Sequence, residues 1–146
     1  MNRRLIFLTL ILLILLPVVL TGCASGEESS GLKMASMSDM PAEVQDAPIA
    51  VQDAYRFNVA NPEIMQQIPC YCGCGSVGHT SNYDCYVQNN DGKGNIAFDG
   101  HALGCSICVD ITVDTMRMLK EGKSVAEIKQ IVDDTYSKFG PSNINE

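Results

Sequence analysis

Apolar and polar positions divide the chain into stretches of unlike character. Leu5 to Leu20 is an apolar run marked only by Pro17, and Arg3 and Arg4 precede it. Residues 24–47 are dominated by Ala, Ser, Gly, Glu, Asp and Pro and show no apolar periodicity, so the pattern predicts a flexible tether. From Pro48 a helical stripe begins, with Val51, Ala54, Tyr55 and Val59 at i, i+3, i+4 and i+8. Asn61-Pro62-Glu63 is a second helix start, with proline at the first helical position. Ile64, Met65 and Ile68 supply that helix's apolar side. Pro69 ends it, because the residue before a proline is pushed out of helical geometry.

Between Gly75 and Gly104 the pattern turns polar and glycine-rich. The turn cluster Asp91 to Asn95 lies between Tyr86-Val87 and Ile96-Ala97-Phe98, which fits a short β-hairpin in a long loop. Helical periodicity returns from Cys105 to Glu121, where Ile107, Ile111, Met118 and Leu119 share a side and Gly122 provides a stop. Ser124 with Glu127 forms a capping box that opens a last helix. Its expected apolar face is Val125, Ile128, Ile131, Val132, Tyr136 and Phe139, and Gly140-Pro141 closes it. The expected fold is a small, mainly α domain with an antiparallel helix pair at its C-terminal end.

The N-terminal layout of basic start, apolar stretch and small-residue exit is that of an export signal. Leu20-Thr21-Gly22-Cys23 resembles the lipobox of bacterial lipoproteins, which implies cleavage before Cys23 and lipidation of its sulfur. An uncleaved anchor would need about 20 apolar residues, and this run is shorter and carries a proline. The expected organisation is a signal over 1–22, a lipidated Cys23 and tether over 23–47, and a Cys/His-rich domain over 48–146. Loss of Arg3 and Arg4 with the signal moves the formal charge from −7 to −9. So acidic a chain has no attraction for nucleic acid, whose binding rests on Lys and Arg neutralising phosphates. Its expected first partner is membrane lipid, through Cys23, on the extracytoplasmic side.

Candidate chemistry is confined to one window. Cys70, Cys72, Cys74, His79, Cys85, His101, Cys105 and Cys108 contain every cysteine after Cys23 and both histidines of the chain. One reading is a disulfide-stapled interaction module, since an even number of cysteines in a small exported domain suggests bridges. The triplet at 70, 72 and 74 would then pair with Cys85, Cys105 and Cys108. A second reading takes Cys105 and Cys108 as a thiol–disulfide exchange pair, their pKa values lowered at a helix start. The strands of a thioredoxin-like fold are missing. A third reading uses every donor: thiolates select Cu(I), Zn or iron–sulfur clusters, and His101-x₃-Cys105-x₂-Cys108 has the spacing of a single-segment metal grip. Met34, Met37 and Met40 recur every third residue and could add soft thioether ligands. With the exported location they tilt this reading slightly toward copper(I) over zinc, held or passed to a donor or acceptor protein. No paired carboxylates, Ser/His/Asp set or phosphate loop points to an enzyme.

The string Pro69-Cys70-Tyr71-Cys72-Gly73-Cys74 resembles the motif that names the bacterial PCYCGC lipoproteins. The similarity continues through Gly78 to Asn82, Asp84-Cys85, Phe98 to Ala102 and Cys105 to Cys108, and spans about residues 50–140 together with the lipobox. It implies a lipid-anchored bacterial protein facing outward. The family is described by its motif, so the resemblance carries location and residues rather than an activity.

Overall fold

The computed structural model describes residues 31–144. The expected export signal over 1–22 and the expected lipidation site Cys23 lie outside the described residues. In chain order the elements are α1 (Ala42–Gln45), α2 (Ile49–Ala60), α3 (Pro62–Met65), β1 (Val87–Asn90), β2 (Ile96–Phe98), α4 (Ser106–Lys120) and α5 (Val125–Tyr136), with short 3₁₀ turns between them. The domain is mainly helical, as the periodicity predicts. No described helix is long and apolar enough to cross a membrane.

Helix α2 packs on α4, and α4 packs on α5. The buried face of α2 is Ala54, Tyr55, Phe57 and Asn58, with Val51 and Val59 of the predicted stripe at its margins. Ile111 and Met118 carry the core face of α4, while Ile128, Val132 and Tyr136 carry that of α5. Ile131 and Phe139, expected on the α5 core face, are exposed instead. The α4–α5 turn forms as its residues dictate. Gly122 takes φ +81°, and Ser124 and Glu127 complete the reciprocal capping box.

The tether expectation changes where the structure begins. Arg56 Nε donates to the Ala35 carbonyl at 2.8 Å, and Asn61 Nδ2 donates to the Lys33 carbonyl at 2.9 Å. Met40 and Val44 are buried in the core, and Met34 and Met37 pack against it. Residues from about Lys33 to Ala47 are therefore part of the domain. Their thioethers and valine bury apolar surface, a gain that average polar composition hides.

The central loop also has a core of its own. The hairpin pairs Val87 with Phe98 and Asn90 with Ile96, with an irregularity between Val87 and Asn89. Tyr83, Cys85, Tyr86 and Val87 are buried, and Tyr55 meets Tyr86 edge-on at 4.9 Å between ring centroids. Beneath them the Thr112 hydroxyl lies 2.8 Å from Asn82 Oδ1, 2.9 Å from the Tyr86 hydroxyl and 3.2 Å from Asn58 Nδ2. Buried polar groups are tolerable when each finds partners. This network welds the loop to α2 and α4 without any crosslink.

Candidate metal centre

Cysteine positions are fixed by turns on three sides of the site. Pro69 releases Cys70 from the end of the α3 segment, whose Ile68 carbonyl accepts from the Asn82 amide at 2.8 Å. Gly73, at φ +86°, lets the chain reverse into the 3₁₀ turn that begins at Cys74, a conformation open to glycine without a Cβ penalty. Cys85 closes another 3₁₀ turn, Tyr83–Cys85. That turn is nucleated by Asp84 Oδ2, which accepts from the amides of Thr80 at 2.6 Å and Ser81 at 3.1 Å. Cys105 is the N-cap of α4, and Cys108 stands in its first turn.

These turns bring seven of the eight predicted donors into two overlapping groups. Cys70, Cys72, Cys74 and Cys85 form one; Cys72, His101, Cys105 and Cys108 form the other, and within each group the ligand atoms all lie within 4.8 Å of one another. Cys72 belongs to both. The Sγ atoms of Cys70 and Cys72 are 3.4 Å apart, those of Cys70 and Cys108 3.5 Å, and those of Cys74 and Cys85 3.6 Å. Cys72 Sγ lies 3.6 Å from Cys108 Sγ and 3.4 Å from His101 Nε2. With metal–sulfur bonds of about 2.3 Å, a regular tetrahedron places its sulfurs about 3.8 Å apart. The closest pairs are near that spacing and the rest lie within 4.8 Å, so either group could hold a metal.

Cys70, Cys72, Cys74, Cys85, Cys105 and Cys108 are free thiols, so the disulfide staples expected as one alternative do not form among the described residues. The arrangement is also not pairwise. Cys70 Sγ is nearly equidistant from Cys72 and Cys108, and Cys72 Sγ from Cys70, His101 and Cys108.

Electrostatics follow from this crowding. The Cys70 thiol is drawn far below its ordinary value by thiol donors, first Cys108, then Cys74 and Cys85. Cys108 is pushed up by its bond to Cys70, and so is Cys74. Cys85 is pushed up by Cys108 first and then by Cys70. Burial raises Cys72, helped by the charge on Cys70. The cluster therefore supports one thiolate and resists more, because each added charge is buried beside the first. A bound cation reverses that balance. The lowering expected at Cys108 from its place at a helix start is outweighed by its neighbour's charge.

His79 stands apart from both groups. Its ring meets that of His101 edge-on at 5.3 Å, and its Nε2 is 3.6 Å from Asp99 Oδ2. Its Nδ1 is buried without a partner. Asp99 in turn accepts from the His101 amide at 2.8 Å through Oδ1, while its carbonyl accepts from the Tyr55 hydroxyl at 2.7 Å. Tyr55 and Asp99 thus orient the His101 turn, a role the sequence pattern does not mark. Met34, Met37 and Met40 are occupied in packing.

Asn143 is the other residue that sequence reasoning misses. Its Oδ1 accepts from the Cys70 amide at 2.7 Å, and its amide donates to the Cys70 carbonyl at 3.2 Å. Nδ2 donates to the Ser81 carbonyl at 3.0 Å and points at Cys74 Sγ from 3.5 Å. Gly140 makes this return possible, since a Cβ there would sit 2.8 Å from the Tyr71 carbonyl oxygen. Gly140-Pro141, read from sequence as a helix stop, is the start of a strap across the cysteine loop.

A family model described as a protein of unknown function with PCYCGC motif matches residues 12–143. The chain belongs to the PCYCGC family. No curated protein and no solved structure matches it. The PCYCGC string of the family's name contributes three of the four donors in the first group and the donor common to both.

Proposed function

We propose that this PCYCGC protein is a membrane-anchored, extracytoplasmic lipoprotein that holds and transfers a soft metal ion through its Cys/His cluster. The observation that carries the reading is the pair of four-donor groups, each with its ligand atoms within 4.8 Å of one another and with sulfur pairs as close as 3.4–3.6 Å. Anchoring rests on the lipobox-like Leu20 to Cys23, with lipid on Cys23 as the membrane contact. Two acyl chains or more hold a protein stably at a bilayer.

Zn(II) becomes the favoured ion over Cu(I). The Met34, Met37 and Met40 thioethers that weigh toward copper serve the core, and the donor sets are four-coordinate, the usual geometry of zinc in Cys/His sites. Charge points the same way. Many thiolates in a partly buried site are better balanced by a divalent cation than by a monovalent one. Ligation would fall to Cys70, Cys72, Cys74, Cys85, His101, Cys105 and Cys108, with His79 outside the coordinating atoms. A thiol-exchange role fits the geometry less well, since Cys108 Sγ packs against Cys70 and Cys72 at 3.5 and 3.6 Å instead of forming an isolated pair with Cys105.

The test is to purify the exported full-length protein without chelators and measure bound metal, free thiols and mass of the N-terminal fragment. Bound zinc, six thiols recovered after chelation and a diacylglyceryl-modified Cys23 are expected. Three disulfides with no metal would remove the metal role, and an unmodified Cys23 would remove the anchor.

A further inference from the structure

The two donor groups are not equivalent, and they are not separate. In the first group Cys70, Cys74 and Cys85 are buried, leaving Cys72 as its one half-buried member. In the second, Cys72, His101 and Cys105 are all half-buried and only Cys108 is buried. One sulfur, that of Cys72, belongs to both.

We propose that the two groups form a single dinuclear centre in which the Cys72 thiolate bridges a resident inner ion and an exchangeable outer ion. This rests on the soft-metal reading above and divides its two tasks, holding and transferring, between the two positions. The inner ion is ligated by Cys70, Cys72, Cys74 and Cys85, and the outer ion by Cys72, His101, Cys105 and Cys108. Bridging fits the donor count, because the six cysteines and His101 fill two four-coordinate shells with protein donors alone when one donor is used twice. Cys72 is the donor placed to do so, as the one residue within reach of every ligand atom of both groups. Its Sγ has Cys70 Sγ at 3.4 Å, His101 Nε2 at 3.4 Å and Cys108 Sγ at 3.6 Å. The inner Cys70 meets the outer Cys108 at 3.5 Å beside it.

Burial assigns the roles. Closed four-donor sites hold structural ions, whereas exchange needs a face that an incoming ligand can reach. The inner shell is covered by the strap, whose Asn143 bonds to the Cys70 amide and approaches Cys74. No inner sulfur lines the hollow of about 430 Å³ between the strap and Gly73 to Gly78. Beside the outer shell lies a surface hollow of about 310 Å³ lined by Val51, Leu103, Cys105, Val109 and Asp110. A competing donor can approach Cys105 there. Substitution at the outer ion leaves the inner ion with its three buried sulfurs and Cys72, so transfer need not unfold the domain.

The experiment loads the full-length protein, in detergent, with ¹¹³Cd(II) as a spectroscopic stand-in for zinc. Two ions per chain and two ¹¹³Cd resonances are expected, one of an all-sulfur shell and one of a shell containing nitrogen, split by coupling through the shared sulfur. Against excess EDTA the nitrogen-containing site should empty first, faster than the other by about tenfold or more. His101→Ala should then leave one ion, the all-sulfur resonance without splitting, and an unchanged far-ultraviolet circular dichroism spectrum. Two unsplit resonances, a single bound ion, or release of both ions in one phase would overturn the bridged pair while leaving soft-metal binding intact. Failure to bind any Cd(II) or Zn(II) would instead sink the soft-metal reading itself, and this proposal with it. Cys72→Ser probes the bridge directly, and His101→Ala keeps the test decisive if that variant does not fold.

Discussion

Asn143 illustrates how much one uncharged side chain can hold at this site. Its amide group and backbone tie the cysteine loop, the Ser81 turn and the C-terminal strap together, all in buried surroundings. Asn143→Leu removes the acceptor of the Cys70 amide and leaves that N–H buried, which costs about 1–3 kcal/mol. Urea unfolding of the metal-loaded protein should show a loss of that size. Gly140→Ala should act through shape rather than hydrogen bonding, because its new Cβ would meet the Tyr71 carbonyl at 2.8 Å. Displacing the strap should cost about 1–3 kcal/mol, in the range of an overpacked site, and quicken loss of bound metal to a chelator. An unchanged release rate would show that the strap does not guard the cysteines. Neither residue is conspicuous in the sequence, since each acts through a partner some 70 positions away.

At the scale of elements, the α4–α5 hairpin is the part most directly specified by local signals. Ser124 Oγ accepts from the Glu127 amide, and Glu127 Oε2 accepts from the Ser124 amide at 2.8 Å. Loss of the cap in Ser124→Ala should cost about 1 kcal/mol, seen as a lower urea midpoint with metal content unchanged. The hairpin meets the donor region at its start, where α4 presents Cys108 and its N-cap Cys105, and at Asp133 of α5, which accepts from the Tyr71 hydroxyl at 2.6 Å. Elements and loops of the central stretch behave differently. Their burial depends on Tyr86, Asn82 and Thr112 meeting across the molecule, and no local pattern announces that meeting. Polar composition suggests a loop that crosslinks or metal ligation must hold, and long-range hydrogen bonding makes it a packed layer.

For the molecule as a whole, the cysteine cluster is a cost without a cation and a staple with one. Four buried sulfurs lie close together, and one thiolate opposes formation of the next. Metal binding that selects the folded state adds its free energy to folding. Chelation should therefore lower the melting temperature, and loss of only about 3 kcal/mol would move it by roughly 10–20 °C in a domain of this size. Equal melting temperatures with and without metal would show that the cluster is dispensable for stability. The net charge of −7 attracts cations and repels anionic polymers.

The sequence by itself determined the mainly helical class, the capping box, the proline and glycine stops, and the confinement of all soft donors to one window. Those features are local, written in period, cap and spacing, and they survive any arrangement of the rest. Only the tertiary structure decided that Cys72 stands in both donor groups and that His79 stands in neither. It likewise decided that Met34, Met37 and Met40 pack against the core rather than trail from a tether, and that Ile131 and Phe139 face outward. Each of these depends on which surfaces meet. Spacing along the chain limits which donors can share an ion, but burial and distance select among them, and both are properties of the packed molecule.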